Sequence, residues 1–410
     1  MGRYIHGGGW FSGSGSEPLY WGWNMVAQSD VIVATFNYRL GSFGWLSTPA
    51  GANFGFSDQN NAILWVHSFI KQFGGDPDRI TLGGQSAGGL SVQFHLLSQQ
   101  LLFSQALIHS APSNFPALTL DEAQVYYVKL AGHLGCQADD FDCLVSQDTS
   151  QVLAGQKNIL PAPELPADRL VSILPWSPVV DGVLVNHTVP LYAYPLLAKN
   201  GPLGRLQVLM GFDKNDTGAW VGPARASRVA YSTVLQSFFG ANASAVKQQY
   251  PFPEVTLMST DFVMACPSIQ ALGAFAEAGM RVSGWTFVHS PSSDPWNADT
   301  VSHCAPVMGP CHGEELIFVF GTATPSAPAP NPAPVATGAT FDSAAEDSLS
   351  SLMLSAWASF IRTGVDGSTW PAYTPTDSKI LQFNTTGVSS VLNYHAEGCA
   401  VFESLGLYSP

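Results

Sequence analysis

Residues 31–36 (VIVATF) are an unbroken apolar, β-branched run. That pattern predicts a strand buried on both faces of a parallel sheet. Over 57–73 the spacing becomes helical, with Ala62, Val66, Phe69, Ile70 and Phe73 on one side. Ser57 or Asp58 is the expected cap and Gly74-Gly75 the expected stop. Residues 79–82 read as a short strand running into GGQSAGG, and 87–98 as a helix. Residues 206–210 and 285–288 read as further strands. Strands alternating with helices predict an α/β fold with a mostly parallel sheet. Residues 344–363 form an amphipathic pattern with Leu349, Leu352, Met353, Ala356 and Phe360 on one face, ended by Gly364. A helix with such a stripe must bury it, which places the C-terminal part on the same body. Between them, the Pro/Ala-rich stretch 324–337 is expected to be an exposed loop of polyproline type.

Composition narrows the function. Of 410 residues, 46% are hydrophobic and 11% charged, which excludes a disordered chain. The net charge of -14 repels phosphate backbones and anionic lipid surfaces, so no nucleic acid partner is expected. No apolar run reaches the roughly 18 residues that suggest a membrane span. Residues 1–10 lack the charged, apolar and cleavage regions of a signal peptide. Asn186, Asn215, Asn242 and Asn384 begin Asn-x-Ser/Thr triplets and six cysteines give an even count, both of which favour a secreted glycoprotein.

Two glycine-rich motifs carry the chemistry. Gly84-Gln85-Ser86-Ala87-Gly88 is a G-x-S-x-G between a predicted strand and a predicted helix. There the glycines permit a sharp turn that exposes the serine hydroxyl near helix N-terminal N–H groups. His6-Gly7-Gly8-Gly9 can converge backbone N–H groups on one point, as an oxyanion hole requires. A serine nucleophile needs a base, and the base an orienting acid, following it along the chain in the order Ser, Asp/Glu, His. The histidines considered for this role are His133, His187, His289, His303, His312 and His395. His312 is favoured, because it lies beside Gly313 in a loop just before an apolar run. Asp213 and Asp216 lie beyond the strand at 206–210, where the active crevice of a parallel sheet is found, and spacing does not choose between them.

The stretch from Phe73 to Gly88, FGGDPDRITLGGQSAG, is similar at every constrained position to the serine signature of the type-B carboxylesterases. That family includes lipases and cholinesterases and has the α/β-hydrolase fold. Asn37-Tyr38-Arg39, Asp58-Gln59, Trp65-Val66, His312-Gly313 and Trp370-Pro371 match as well. The resemblance covers nearly the whole chain and implies one α/β-hydrolase domain over 1–410. It implies an ester hydrolase without cofactor or metal, acting on a small-molecule or lipid ester, with Ser86 as nucleophile, His312 as base and Asp216 in the place of the usual Glu. Gly8, Gly9 and Ala87 then supply the oxyanion hole. Trp10, Phe11, Trp176 and Trp220 are candidates for lining a substrate pocket.

The resemblance also implies a short-loop disulfide, Cys136–Cys143. Cys304–Cys311 with Cys266–Cys399 is one of three pairings open to the other four cysteines. A zinc site at His303, Cys304, Cys311 and His312 is the rival reading, disfavoured because adjacent His-Cys pairs chelate one tetrahedral ion poorly. Arg39 and Asp58 are expected as a buried structural ion pair. Gln85 departs from the family, which commonly has Glu there, and this puts choline esters in doubt. Family members carry further strands before the HGGG segment. By that resemblance the sequence is expected to be truncated at its N-terminus, which would leave a sheet edge exposed. The alternative to an esterase is a catalytically silent adhesion or scaffold protein on the same fold, or an inactive truncated product.

Overall fold

Among the described residues, eight strands form one sheet in the order β2-β1-β3-β4-β5-β6-β7-β8. They are β1 (Gly2–Ile5), β2 (Val33–Thr35), β3 (Thr81–Gln85), β4 (Gln105–His109), β5 (Gln207–Asp213), β6 (Arg281–Phe287), β7 (Lys379–Asn384) and β8 (Gly387–Leu392). All neighbours are parallel except the β7–β8 pair. This is a computed structural model that describes residues 2–98, 101–159, 174–198, 205–221, 224, 227–291, 309–323 and 340–408. The loop predicted at 324–337 lies outside the described residues.

Strand side chains alternate between two covered faces. Ala106, Ile108, Val208 and Met210 point into one core with the helix Ala87–Leu96. Leu107, Leu209, Trp285 and Phe287 point into the other, against 316–320 and the helix Ala344–Thr363. Cover on both faces is why the central strands are apolar at nearly every position.

The run at 31–36 is a shorter strand than expected, and it is an edge strand rather than one buried on both faces. Only β1 pairs with β2, whose three residues are all half-buried. Ile32 and Ala34 pack on Val66 and Ile70, and Val33 on the opposite core.

The helix expected from 57 begins earlier, as Phe54–Phe69, and neither Ser57 nor Asp58 caps it. Asn53 stands at its N-cap in a left-handed conformation. Its amide bonds Val179 and Asp181 across the fold instead of the helix. Asp58 is occupied by Arg39 in a two-pronged pair at 2.7 and 2.8 Å. That pair is not buried, since the side chains are 50% and 25% exposed, so it contributes at most about 1 kcal/mol. The helix Ala344–Thr363 has the predicted bounds, but Leu352 is exposed and lies off the buried stripe.

Helical segments run without a break from Val255 to Glu277, a stretch long and apolar enough to cross a membrane. Two thirds of it is packed inside the protein, and Cys266 within it is bonded to Cys399. Cys136–Cys143 is also bonded. Cys311 is disulfide-bonded, and Cys304 and His303 lie outside the described residues. A sulfur in a disulfide is not a thiolate ligand, which removes Cys311 from the zinc reading.

Candidate active site

The central feature is the turn out of β3. β3 ends at Gln85 and the helix begins at Ala87, so Ser86 alone makes the turn, at φ 58° and ψ -127°. A non-glycine residue in this region is strained and persists only where its surroundings hold it. Here Ser86 N–H donates to His109 O on β4 at 2.9 Å. Behind it the helix lies directly on the end of β1: a Cβ at Gly88 would overlap the Ile5 carbonyl oxygen. The second glycine of the motif therefore lets the helix and its N-terminal amides approach the HGGG segment.

That segment is itself held through its carbonyls. His6 Nδ1–H donates to Gly7 O at 2.8 Å. Gly8 O accepts from Phe11 N–H at 3.1 Å and from both Ser12 N–H and Ser12 Oγ at 3.0 Å. A trans peptide is planar, so pinning a carbonyl aims the next N–H the opposite way. The bonds on Gly7 O orient the Gly8 amide, and those on Gly8 O orient the Gly9 amide. Gly8 sits at φ 105°, where a side chain would also overlap Ser12. His6 is buried and stacked on Tyr38 at 4.5 Å, and burial lowers its pKa.

The third part comes from the loops after β5 and around 309–315. Asn215 N–H donates to Pro310 O at 3.1 Å and His312 N–H to Asp216 O at 3.0 Å, which zips the two loops together. His312 Nδ1–H donates to Asp216 Oδ1 at 2.5 Å. Asp216 is wholly buried, and its other oxygen accepts Asp213 N–H at 2.9 Å. Of the two aspartates, Asp216 faces the imidazole and Asp213 holds it through the backbone. On the far side of the ring, Gln85 Nε2 meets His312 Nε2 at 3.0 Å. Trp220 covers one face of the ring at 4.8 Å.

Of the other histidines considered, His289 bonds Glu346 and His395 bonds Asp261, while His133 is exposed. Sequence reasoning passed over two that also follow Ser86. His95 is buried against Phe56, and burial pulls its pKa down to about 3. His109 is wholly buried, donating from Nδ1 to Glu315 at 2.8 Å and accepting Trp357 Nε1–H at Nε2 at 2.8 Å. Asp213 is wholly buried too, and burial first, then the charge on Glu315, push its carboxyl well above the usual range. An acid at the end of β5 and another in the loop around 309–315 give no pattern by which such a cluster could be found in sequence.

The aromatic candidates divide. Trp10 and Trp176 are core residues, packed on Trp45 and Tyr126. Phe11 and Trp220 are half exposed near the glycine segment and His312, respectively.

The parallel sheet with helices on both faces and the strand–Ser–helix turn define an α/β-hydrolase. The sequence profile of the carboxylesterase family matches residues 3–239 and 225–402, and the chain belongs to that family. A cholinesterase of Mus musculus is 29% identical over 93% of this chain and 65% of its own length. The crystal protein of Dictyostelium discoideum is 32% identical over 78% of this chain and 58% of its own length. The chain thus spans 58 to 65% of the length of these curated relatives. The solved structure of PNB esterase superposes with a TM-score of 0.78, at 26% identity, over 98% of this chain and 80% of that one.

Proposed function

We propose that the protein hydrolyses carboxylic esters through an acyl-enzyme, with Ser86 as nucleophile, His312 as base and Asp216 as its orienting acid. The observation that carries this reading is the imidazole of His312. It is fixed at Nδ1 by a buried carboxylate, and its Nε2 reaches the side chain of Gln85, the residue next to the strained Ser86. Asp216 sets the tautomer, so Nε2 carries the lone pair that a base needs.

Ser86 Oγ attacks the ester carbonyl and its proton passes to His312 Nε2. The oxyanion is met by N–H groups of Gly8, Gly9 and Ala87, the first two aimed in advance by the bonds on the preceding carbonyls. His312 returns the proton to the departing alkoxide, which leaves as the alcohol. Water, deprotonated by His312, then attacks the acyl-enzyme and frees the acid and Ser86. These residues complete the reaction with no cofactor.

The family and the disulfides also support an extracellular setting for the whole protein, since such bonds persist in oxidising compartments. Asn186 is exposed and suits glycosylation. Asn215, whose side-chain amide lies against Gly309, does not.

The test is hydrolysis of p-nitrophenyl esters of increasing acyl length by the chain and by Ser86→Ala, with stoichiometric labelling by an organophosphate. Activity and labelling lost together in the variant support the reading, and the length profile sorts esterase from lipase. Full activity in Ser86→Ala overturns it. A parent chain that neither turns over nor labels leaves the silent-scaffold alternative.

A further inference from the structure

We propose that Gln85 is a positioning residue whose side-chain amide serves both protonation states of His312, donating to Nε2 when the ring is neutral and accepting from Nε2–H when the ring carries the serine proton. This rests on the triad reading above and adds to it a fourth side chain.

Gln85 is the last residue of β3 and is 2% exposed. Its Nε2 stands 3.0 Å from His312 Nε2. The far nitrogen of the same ring is committed to Asp216 Oδ1, an oxygen of a buried carboxylate that can only accept. The hydrogen therefore sits on Nδ1, and Nε2 of the neutral ring is a lone pair. An amide can bond to that lone pair only by donating, so the nitrogen end of Gln85 belongs toward His312. The oxygen end turns to the glycine segment, where it takes the space of a side chain at position 7: a Cβ on Gly7 would lie 2.6 Å from Gln85 Oε1. Gly7 and His312 thus bound a slot fitted to this amide.

The slot adjoins the chemistry. Nε2 holds a single lone pair, so the amide N–H leaves it as the Ser86 O–H takes its place; once the proton has passed, Nε2 is a donor and faces the amide. Rotation about the last side-chain bond exchanges the ends of the amide, so that Oε1 accepts from the new N–H. No bond is made or broken beyond the hydrogen bonds, and the proton remains on the imidazole until the leaving alkoxide takes it. A carboxylate at position 85 offers only acceptors and favours the protonated ring. A thioether of similar length offers neither end. The other groups around the ring are Asp216 in contact, Asp213, Glu314 and Glu315 among the buried acids nearby, and Trp220 on its face.

The experiment compares Gln85→Glu and Gln85→Met with the parent by kcat, KM and the pH profile of kcat/KM on p-nitrophenyl acetate. Circular dichroism and Tm confirm folding. In Gln85→Glu the acid limb moves to higher pH by about 1 unit or more, because a carboxylate adjoins the ring. In Gln85→Met kcat falls up to about tenfold with KM little changed, the loss of one hydrogen bond on the ring. An acid limb in Gln85→Glu that coincides with the parent's, or undiminished kcat in Gln85→Met, overturns the proposal.

A readout free of turnover separates this from the triad reading. The His312 ring is followed by NMR against pH in Ser86→Ala and in Ser86→Ala/Gln85→Glu. A titration that moves to higher pH in the double variant supports the contact, and superimposed curves overturn it. Activity that survives in Ser86→Ala instead overturns the triad and leaves the NMR result standing by itself.

Discussion

Two histidine–carboxylate pairs lie within one loop and strand of each other and have opposite fates. His312 donates from Nδ1 to Asp216, and His109 donates from Nδ1 to Glu315, three residues along the chain from His312. Both carboxylates are fully buried. The difference is at the other nitrogen. His109 Nε2 accepts the indole N–H of Trp357, a group that can only donate, within a cage of Trp285 and Trp357. Both nitrogens of its ring are thereby committed to buried partners. His312 Nε2 meets an amide that can reverse its ends, and the ring is 15% exposed beside the Ser86 turn. A buried carboxylate on Nδ1 thus creates a base only where Nε2 can be vacated. Elsewhere the same pair is architecture.

The largest expected effect tests the reactive member. His312→Ala lowers kcat/KM by about 10⁴-fold or more, as measured by ester hydrolysis on protein that calorimetry shows to be folded, with a lower Tm because Asp216 loses its buried partner. If activity persists, the two pairs are alike and the contrast fails.

The inert member is tested through its indole. Trp357→Phe preserves the ring packing and leaves His109 Nε2 without its donor, which costs about 1–3 kcal/mol in denaturant unfolding. Activity per folded molecule is expected to remain within a few-fold of the parent. A loss of activity larger than the loss of stability would join His109 to the catalytic group.

The last test, which leaves catalysis untouched, concerns the acid that the two pairs share. Asp213 gives its backbone N–H to Asp216, and its buried side chain adjoins Glu315. Burial, reinforced by Glu315, keeps it protonated in the fold, whereas the unfolded chain releases that proton near about pH 4. The stabilisation is complete below that ordinary value and is lost as pH rises toward the raised folded value, by about 1.4 kcal/mol per pH unit. Asp213→Asn can donate to Glu315 without titrating. Its unfolding free energy should therefore fall less steeply than the parent's as pH rises above about pH 4. Parallel curves would show that Asp213 does not hold the extra proton.

The sequence by itself determined what is local. The strand-to-helix passage through Ser86 is written in the two glycines that flank it, because only residues without a Cβ tolerate the close approaches found there. The HGGG segment and the bounds of the helix Ala344–Thr363 were legible for the same reason: backbone freedom and period depend on near neighbours. His312 was singled out by its loop setting and the family motif, and the fold sets it between Asp216 and Gln85.

Tertiary structure decided whatever depends on partners from distant strands. The choice of Asp216 over Asp213 follows from the zipping of two loops nearly a hundred residues apart. The cap of the first long helix was lost because Asn53 and Asp58 found other partners across the fold. The run at 31–36 became an edge strand because apolarity reports burial but not which neighbour supplies it. Above all, whether a histidine is a base or a strut depends on the group at its second nitrogen. At His109 that group comes from 248 residues away and at His312 from 227, a relation that only the folded chain establishes.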